Sequence, residues 1–449
     1  MPEYTQLKLP TFDQVATSTA SDLSDSNAVQ GRDRAFHEWY RFVLSYPPHL
    51  VRRYARAFGL QAGDTLLDPF CGTGTTVVEA KLIGLHGVGI EAHPLSQFAA
   101  QTKVSWDVNV QQLLADADEI AQNTLSDLEQ AGVDDRSPNG SDPSELGLPM
   151  LPEEQRRLLI KNSLSPMPLA KALLLRQKID RYASAKHHPH LRLAFAKALV
   201  GDISNLRFGP EVGVGKIKPD AQVVDPWLHA VQRMADDLRT VDGQTLYPTK
   251  VHLGDARSAG DILPRQSVQA VITSPPYPNE KDYSRTTRLE SVMLGFVSDK
   301  AQLRQVKKGL VRSNTRGVYK ADTDDAWIES MPDIIALADA IEARRVELGK
   351  TSGFERLYHR VTRLYFGGMA RHLASLRTAL APGARLGYVV GDQASYLRVM
   401  IRTGTILAQI AERLGYQVDR IDLFRKRFAT ATQQELREEV VVLTWPGEG

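Results

Sequence analysis

Leu66-Leu67-Asp68-Pro69-Phe70-Cys71-Gly72-Thr73-Gly74 is an apolar strand running into a glycine turn. The residues that follow, Thr75 to Leu85, place Val77, Val78, Ala80, Leu82 and Ile83 at helical spacing, and His86 to Glu91 reads as a second strand ending in an acid. Strand, glycine turn, helix and acid-tipped strand form half of a Rossmann-type nucleotide site, so an α/β fold is expected. Gly72 and Gly74 let backbone approach a ligand without a Cβ in the way, and the helix that starts there offers unpaired N–H groups. The spacing departs from G-x-G-x-x-G, because Val77 occupies the third position after Gly74, and a pyrophosphate is therefore poorly served.

Further strands punctuate the chain at Lys250 to Asp255 and at Val268 to Thr273. The second runs into Ser274-Pro275-Pro276-Tyr277. That tetrapeptide suits an exocyclic ring amine. The lone pair of such an amine is delocalised, so the nitrogen must be held where it can become tetrahedral. The Ser274 side chain and the Pro275 carbonyl can each accept one amino hydrogen, and proline has no N–H to compete. Tyr277 offers a face on which an extruded base can stack. Ala384 to Asp392, a helix over Thr403 to Leu414, and strands near Gln417 to Leu423 and Glu438 to Trp445 complete a seven-stranded sheet.

With 449 residues, the chain exceeds one ordinary domain. Residues 1–36 are polar and aperiodic and read as a flexible arm. Residues 37–106 and 250–449 read as a catalytic core, with helices starting at the Pro47-Pro48 pair. Residues 107–249 read as a helical insertion interrupted by the Pro/Gly/Ser-rich stretch Asp134 to Pro149. There is one cysteine, which excludes an internal disulfide or a cysteine-rich zinc site, and Cys71 sits inside the glycine turn instead of the Pro-Cys loop that cytosine-C5 chemistry requires. No long apolar run suggests a membrane or an export signal, so a cytoplasmic protein is expected. Net charge is +2, so any nucleic acid must meet a local basic patch.

Together the two motifs resemble those of the S-adenosylmethionine-dependent DNA amino-methyltransferases, FxGxG followed by TSPPY. The resemblance implies a Rossmann-like class I methyltransferase sheet with a terminal antiparallel hairpin. It implies S-adenosylmethionine as cofactor, bound by Tyr46, Asp68, Pro69, Phe70, Gly72, Gly74, Glu91, Asp255 and Thr273: Asp68 opposite the methionine amino group, Glu91 on the ribose about 20 residues past Gly72, Asp255 on the adenine amine. Ser274, Pro275, Pro276 and Tyr277 are the catalytic positions it implies, acting on a flipped base in double-stranded DNA. Serine at the first position is typical of cytosine-N4 enzymes, with adenine N6 left open. The motif order lacks the circular permutation common among cytosine-N4 enzymes. Asp-Pro-Phe-Cys-Gly-Thr-Gly also resembles tRNA guanine-N2 methyltransferases, although those usually carry aspartate in the target motif. A catalytically silent nucleic-acid-binding subunit is a third reading, and a restriction or defence-system partner stays open.

Two basic groups are candidate phosphate contacts: Arg304, Lys307, Lys308, Arg312 and Arg316 in a stretch free of acids, and Arg425 with Lys426 near the final hairpin. His187-His188-Pro189-His190 lacks a carboxylate or cysteine at ligand spacing and reads as a helix-ending loop, with no metal expected. Gly213-Val214-Gly215-Lys216 is no P-loop, since Ile217 replaces the hydroxyl residue.

Overall fold

The structure is a computed structural model that describes residues 33–41, 45–137, 142–208, 211–244, 247–279, 281–429 and 434–447. The expected N-terminal arm lies outside these residues except for its last four positions.

Seven strands form one sheet: β1 (Thr65–Asp68), β2 (His86–Glu91), β3 (Thr249–Leu253), β4 (Val268–Thr273), β5 (Leu380–Gly391), β6 (Gln417–Ala429) and β7 (Gln434–Trp445). Their order is β3-β2-β1-β4-β5-β7-β6, parallel from β3 to β5, with β7 antiparallel to both of its neighbours. This is the seven-stranded, Rossmann-like sheet with a terminal antiparallel hairpin that the sequence leads one to expect. Because β1 lies between β2 and β4, the glycine turn and the double-proline turn leave from neighbouring strands on the same edge. In an open parallel sheet that carboxyl edge is where ligands bind.

Side-chain alternation along the strands divides the interior. Leu66, Ala270, Ile272 and Val389 face one way, under α1 (Pro48–Ala57) and α2 (Thr75–Leu82). Leu67, Val271, Leu386 and Val390 face the other, under α10 (Pro332–Glu347), α11 (Tyr358–Leu376) and α12 (Thr403–Arg413). Proline at the first or second position starts α1, α3 (Pro94–Lys103), α5 (Pro166–Asp180) and α6 (His188–Ala198), where its missing N–H would have no partner.

The principal helices among the described residues of 107–249 are α4 (Val110–Gln130), α5, α6 and α7 (Val224–Thr240). They pack directly against helices of the core. Leu113, Leu191 and Trp227 share one buried cluster with Val77 of α2, Leu95 of α3, and Leu289 and Val292 of α8 (Arg288–Met293). The helical reading of Pro152 to Leu238 also misses a two-stranded antiparallel ribbon, Leu206–Arg207 with Gly213–Val214. The Gly213 to Lys216 string therefore lies in and beside this ribbon. The histidine cluster begins a helix instead of ending one. His187 precedes α6 and meets Asp116 Oδ2 through Nε2 at 2.8 Å, and His190 Nε2 meets the Ser105 carbonyl at 2.9 Å.

One buried ion cluster fixes this helical layer. Lys171 of α5 is fully enclosed, with Nζ 3.0 Å from Asp135 and 2.8 Å from Asp220, and Asp135 also accepts the N–H groups of Val223 and Val224 at the start of α7. Lys171→Ala leaves two buried carboxylates without a counter-charge, and removing one partner of a buried pair costs about 3 to 5 kcal/mol. The expected outcome is a clearly lower midpoint in urea denaturation followed by tryptophan fluorescence. An unchanged midpoint would show that the cluster is not holding α5 to α7.

Candidate active site

The carboxyl ends of the strands open onto one cavity of about 390 Å³, within the range of small-molecule sites. Tyr46, Pro69, Phe70, Gly72, Glu91, Asp255, Ser274, Pro275, Pro276 and Tyr277 all line it, so the cofactor-type and target-type corners face the same space.

Gly72 and Gly74 have φ of +51° and +92°. At Gly74, the N-cap of α2, an added Cβ would come within 3.0 Å of Ala100 on α3, so both backbone sign and space demand glycine. The turn is braced from two sides. Gly72 N–H donates to Glu91 Oε2 at 2.8 Å, while Lys103 Nζ donates to the Thr73 carbonyl at 2.9 Å from beneath. Glu91 Oε1 also accepts from His93 N at 2.7 Å. Burial pushes Glu91 up to about 7 and Lys103 down to about 7. Sequence reading missed Lys103; its only signal was a lysine on the apolar helix after β2.

Asp68 and Thr273 do not line the cavity, contrary to their expected contact with a ligand. Both are buried because they bond each other: Thr273 Oγ1 donates to Asp68 Oδ1 at 2.5 Å, and Thr76 Oγ1 donates to Asp68 Oδ2 at 2.6 Å. The Phe70 N–H, 3.1 Å from Oδ1, completes the set. Tyr46, which does line the cavity, reaches this cluster through Thr76 Oγ1 and lies 3.4 Å from Asp68 Oδ2. Burial lifts the Asp68 carboxyl to about 6 although all these donors pull it down. Gly74 likewise acts through backbone shape, outside the cavity wall.

At the target-type corner, Ser274 Oγ donates to the Val389 carbonyl at 3.2 Å, leaving its lone pairs for an incoming donor. The Tyr277 ring lies on Gly391, where an added Cβ would sit 2.8 Å from Cε2. Asp255 lines the cavity but pairs with Arg257, which donates to both its oxygens and bridges on to Asp324 at 2.5 Å. Cys71 lines the cavity too, with its thiol pushed well above the ordinary range by burial, so no thiolate is on offer.

The basic stretch divides. Arg312 is buried and forked onto Asp322, with Nε and Nη2 each at 2.9 Å from a carboxylate oxygen, so it is withdrawn from the phosphate-contact set. Lys307 pairs with Asp282 at 2.8 Å in the cavity wall, and Arg425 pairs with Glu438 at 2.9 Å there too. Freedom from acids held only along the sequence; Asp282 and Asp322 arrive from flanking loops. Arg304, Lys308 and Arg316 are exposed, Arg316 with its guanidinium over the Phe354 ring at 5.8 Å, and exposed Lys426 pairs with Glu435 at 3.0 Å. Among the described residues, no helix is long and apolar enough to cross a membrane, and no cluster of His, Cys, Asp and Glu is arranged to hold a metal.

Residues 19–100 match the family described as DNA methylase, of the N6/N4 type. The chain is 25% identical over 428 residues to the Type II methyltransferase M.BsoBI of Geobacillus stearothermophilus, covering 90% of this chain and 83% of that one. It is 22% identical over 423 residues to the Type II methyltransferase M.AvaI of Anabaena variabilis, covering 89% and 82%. A tRNA (guanine(10)-N2)-dimethyltransferase of Methanothermobacter thermautotrophicus is 47% identical, over only 47 residues.

The buried Asp68 predicts a pH dependence. Its folded pKa, about 6, stands above the unfolded value near 3.9, so the folded state holds the proton more tightly and loses stability as pH rises from about 4 to about 6. At about 1.4 kcal/mol per unit, the loss reaches up to about 3 kcal/mol. Comparing urea midpoints of the wild type and Asp68→Asn across this range should show a shallower decline in the variant; identical slopes would remove Asp68 as the source.

Proposed function

We propose that this chain, an amino-methyltransferase of the DNA type, methylates the exocyclic amine of a base flipped out of duplex DNA, and that the base is cytosine, modified at N4. The observation that carries this reading is the single cavity shared by the Gly72 turn and the Ser274 to Tyr277 turn. The Type II relatives favour DNA as substrate and a restriction–modification setting.

The residues present fit the cofactor that the family implies. Glu91 faces the cavity with lone pairs beyond those given to Gly72 and His93, suiting ribose hydroxyls, and the open glycine backbone leaves room beside it. Asp255 keeps acceptor capacity next to Arg257. When bound, S-adenosylmethionine supplies a methyl group on a sulfonium centre, open to direct displacement by the amine nitrogen.

The protein's part is to position the amine. Ser274 Oγ spends its one proton on Val389 and therefore meets the amine as an acceptor, and the Pro275 carbonyl is a second acceptor. Two acceptors on two amino hydrogens orient the nitrogen and favour its pyramidal form, the geometry needed for attack. Tyr277, seated on Gly391, stacks the base. Serine in the first position supports cytosine over adenine. Exposed Arg304, Lys308 and Arg316 are the proposed phosphate contacts.

Tritiated cofactor offered with duplex DNA or with unmodified tRNA should label the DNA; label confined to tRNA would overturn the substrate assignment. Nucleoside mass spectrometry of DNA from expressing cells should find N4-methylcytosine, and N6-methyladenine in its place would overturn the choice of base. Tyr277→Ala removes a stacking contact of about 1 to 3 kcal/mol, so single-turnover rates should fall about 5- to 150-fold with cofactor affinity by calorimetry near normal. Gly391→Ala, which crowds the same ring, should reproduce the loss in milder form. Wild-type rates in both variants would remove the stacking role.

A further inference from the structure

Of Arg425 and Lys426, Arg425 is the one that lines the cavity. Adjacent residues of a regular strand point to opposite faces, yet Phe424 and Arg425 both line the cavity. The register of β6 on β7 shifts between Leu423 and Arg425, and such a bulge re-aims side chains. The bulge also sets Arg425 in a lateral row. Gly391 on β5 lies opposite Glu438 on β7, and Glu438 lies opposite Arg425 on β6. The Tyr277 ring rests on Gly391 at one end of this row, and the Arg425 to Glu438 bond of 2.9 Å closes the other. A guanidinium thus belongs to the same cavity as the stacking ring, two strands along from Gly391 and on the side of β5 away from β1, β2 and β3.

The chemistry of the two candidate bases differs at that point. Beyond its amine, cytosine presents two acceptors in succession, N3 and O2. Adenine presents N1 and then a C–H. A guanidinium offers donors only, in a planar fork that suits paired acceptors. Ser274 and Pro275 as acceptors followed by Arg425 as donor form the complement of cytosine's Watson–Crick edge.

We infer that Arg425, oriented by Glu438, reads the N3 and O2 edge of the flipped base and selects cytosine over adenine. This rests on the proposed base-flipping function and gives Arg425 a specificity role in place of a phosphate contact. Glu438 is a positioning residue.

The test uses the full-length protein and a duplex carrying the methylated sequence mapped from expressing cells, with either cytosine or adenine at the target position. Single-turnover methyl transfer is measured for the wild type, Arg425→Ala and Arg425→Lys. A bidentate base contact is worth about 10- to 100-fold in discrimination. Arg425→Ala should therefore slow transfer to cytosine by about that factor, leave adenine near its wild-type rate, and pull their ratio towards one. Arg425→Lys keeps charge and bulk but not the fork, and should shift the ratio the same way even if the alanine variant folds poorly. Equal loss on both bases together with a shallower salt dependence of DNA binding would assign Arg425 to a phosphate and overturn the inference, as would an unchanged ratio. Failure of the underlying function looks different, because the wild type itself would then label no DNA, or mark adenine.

Discussion

The carboxylate of Asp68 is the constraint on which the site depends. It leaves the end of β1, accepts from Thr273 at the end of β4 and from Thr76 in α2, and is sealed from water. A short charge-assisted bond between two neighbouring strand ends fixes the separation of the turns that follow them. One turn is glycine-rich and the other proline-rich. Direct transfer between a donor at one and an acceptor at the other tolerates little slack, so a buried brace between their roots has an evident use. Leaving this carboxyl in a dry setting raises its pKa, and that cost in stability is the counterpart of the rigidity.

Each turn is then stiffened by its own means. Around Gly72 the chain reverses at positive φ, and Glu91 and Lys103 hold its N–H and carbonyl groups from opposite sides. At Ser274 the two prolines restrict the backbone, and the hydroxyl is anchored on Val389 of the next strand. Tyr277 takes its orientation from a missing side chain, since only a glycine at 391 leaves room for the ring. The functional groups are thus set by neighbours on β2, β5 and α3, consistent with sites whose first contacts are locked by a supporting layer.

Charge follows the same logic. A chain with net charge of only +2 uses several of its cations internally: Lys171 under the helical layer, Arg257 behind the cavity, and Lys307, Arg312 and Arg425 in its wall. Among the exposed cations, Arg304, Lys308 and Arg316 lie close in sequence to the cavity-lining segment.

The sheet, its helices and both turns were legible along the chain because their causes are local. Short, nearly continuous apolar runs make central strands such as Val268 to Thr273, glycine permits the positive φ at 72 and 74, and a proline pair sets the 275 and 276 corner whatever surrounds it. Which side chains reach the cavity was not legible, because that depends on partners far away in sequence. Asp68 and Thr273 are separated by 205 residues and hide one another; Arg312 looked free until Asp322 folded back onto it. The unity of residues 107–249 with the core, and the bulge that turns Arg425 inward, exist only once strands and helices pack, since burial, register and pairing belong to the assembled chain and not to any stretch of it.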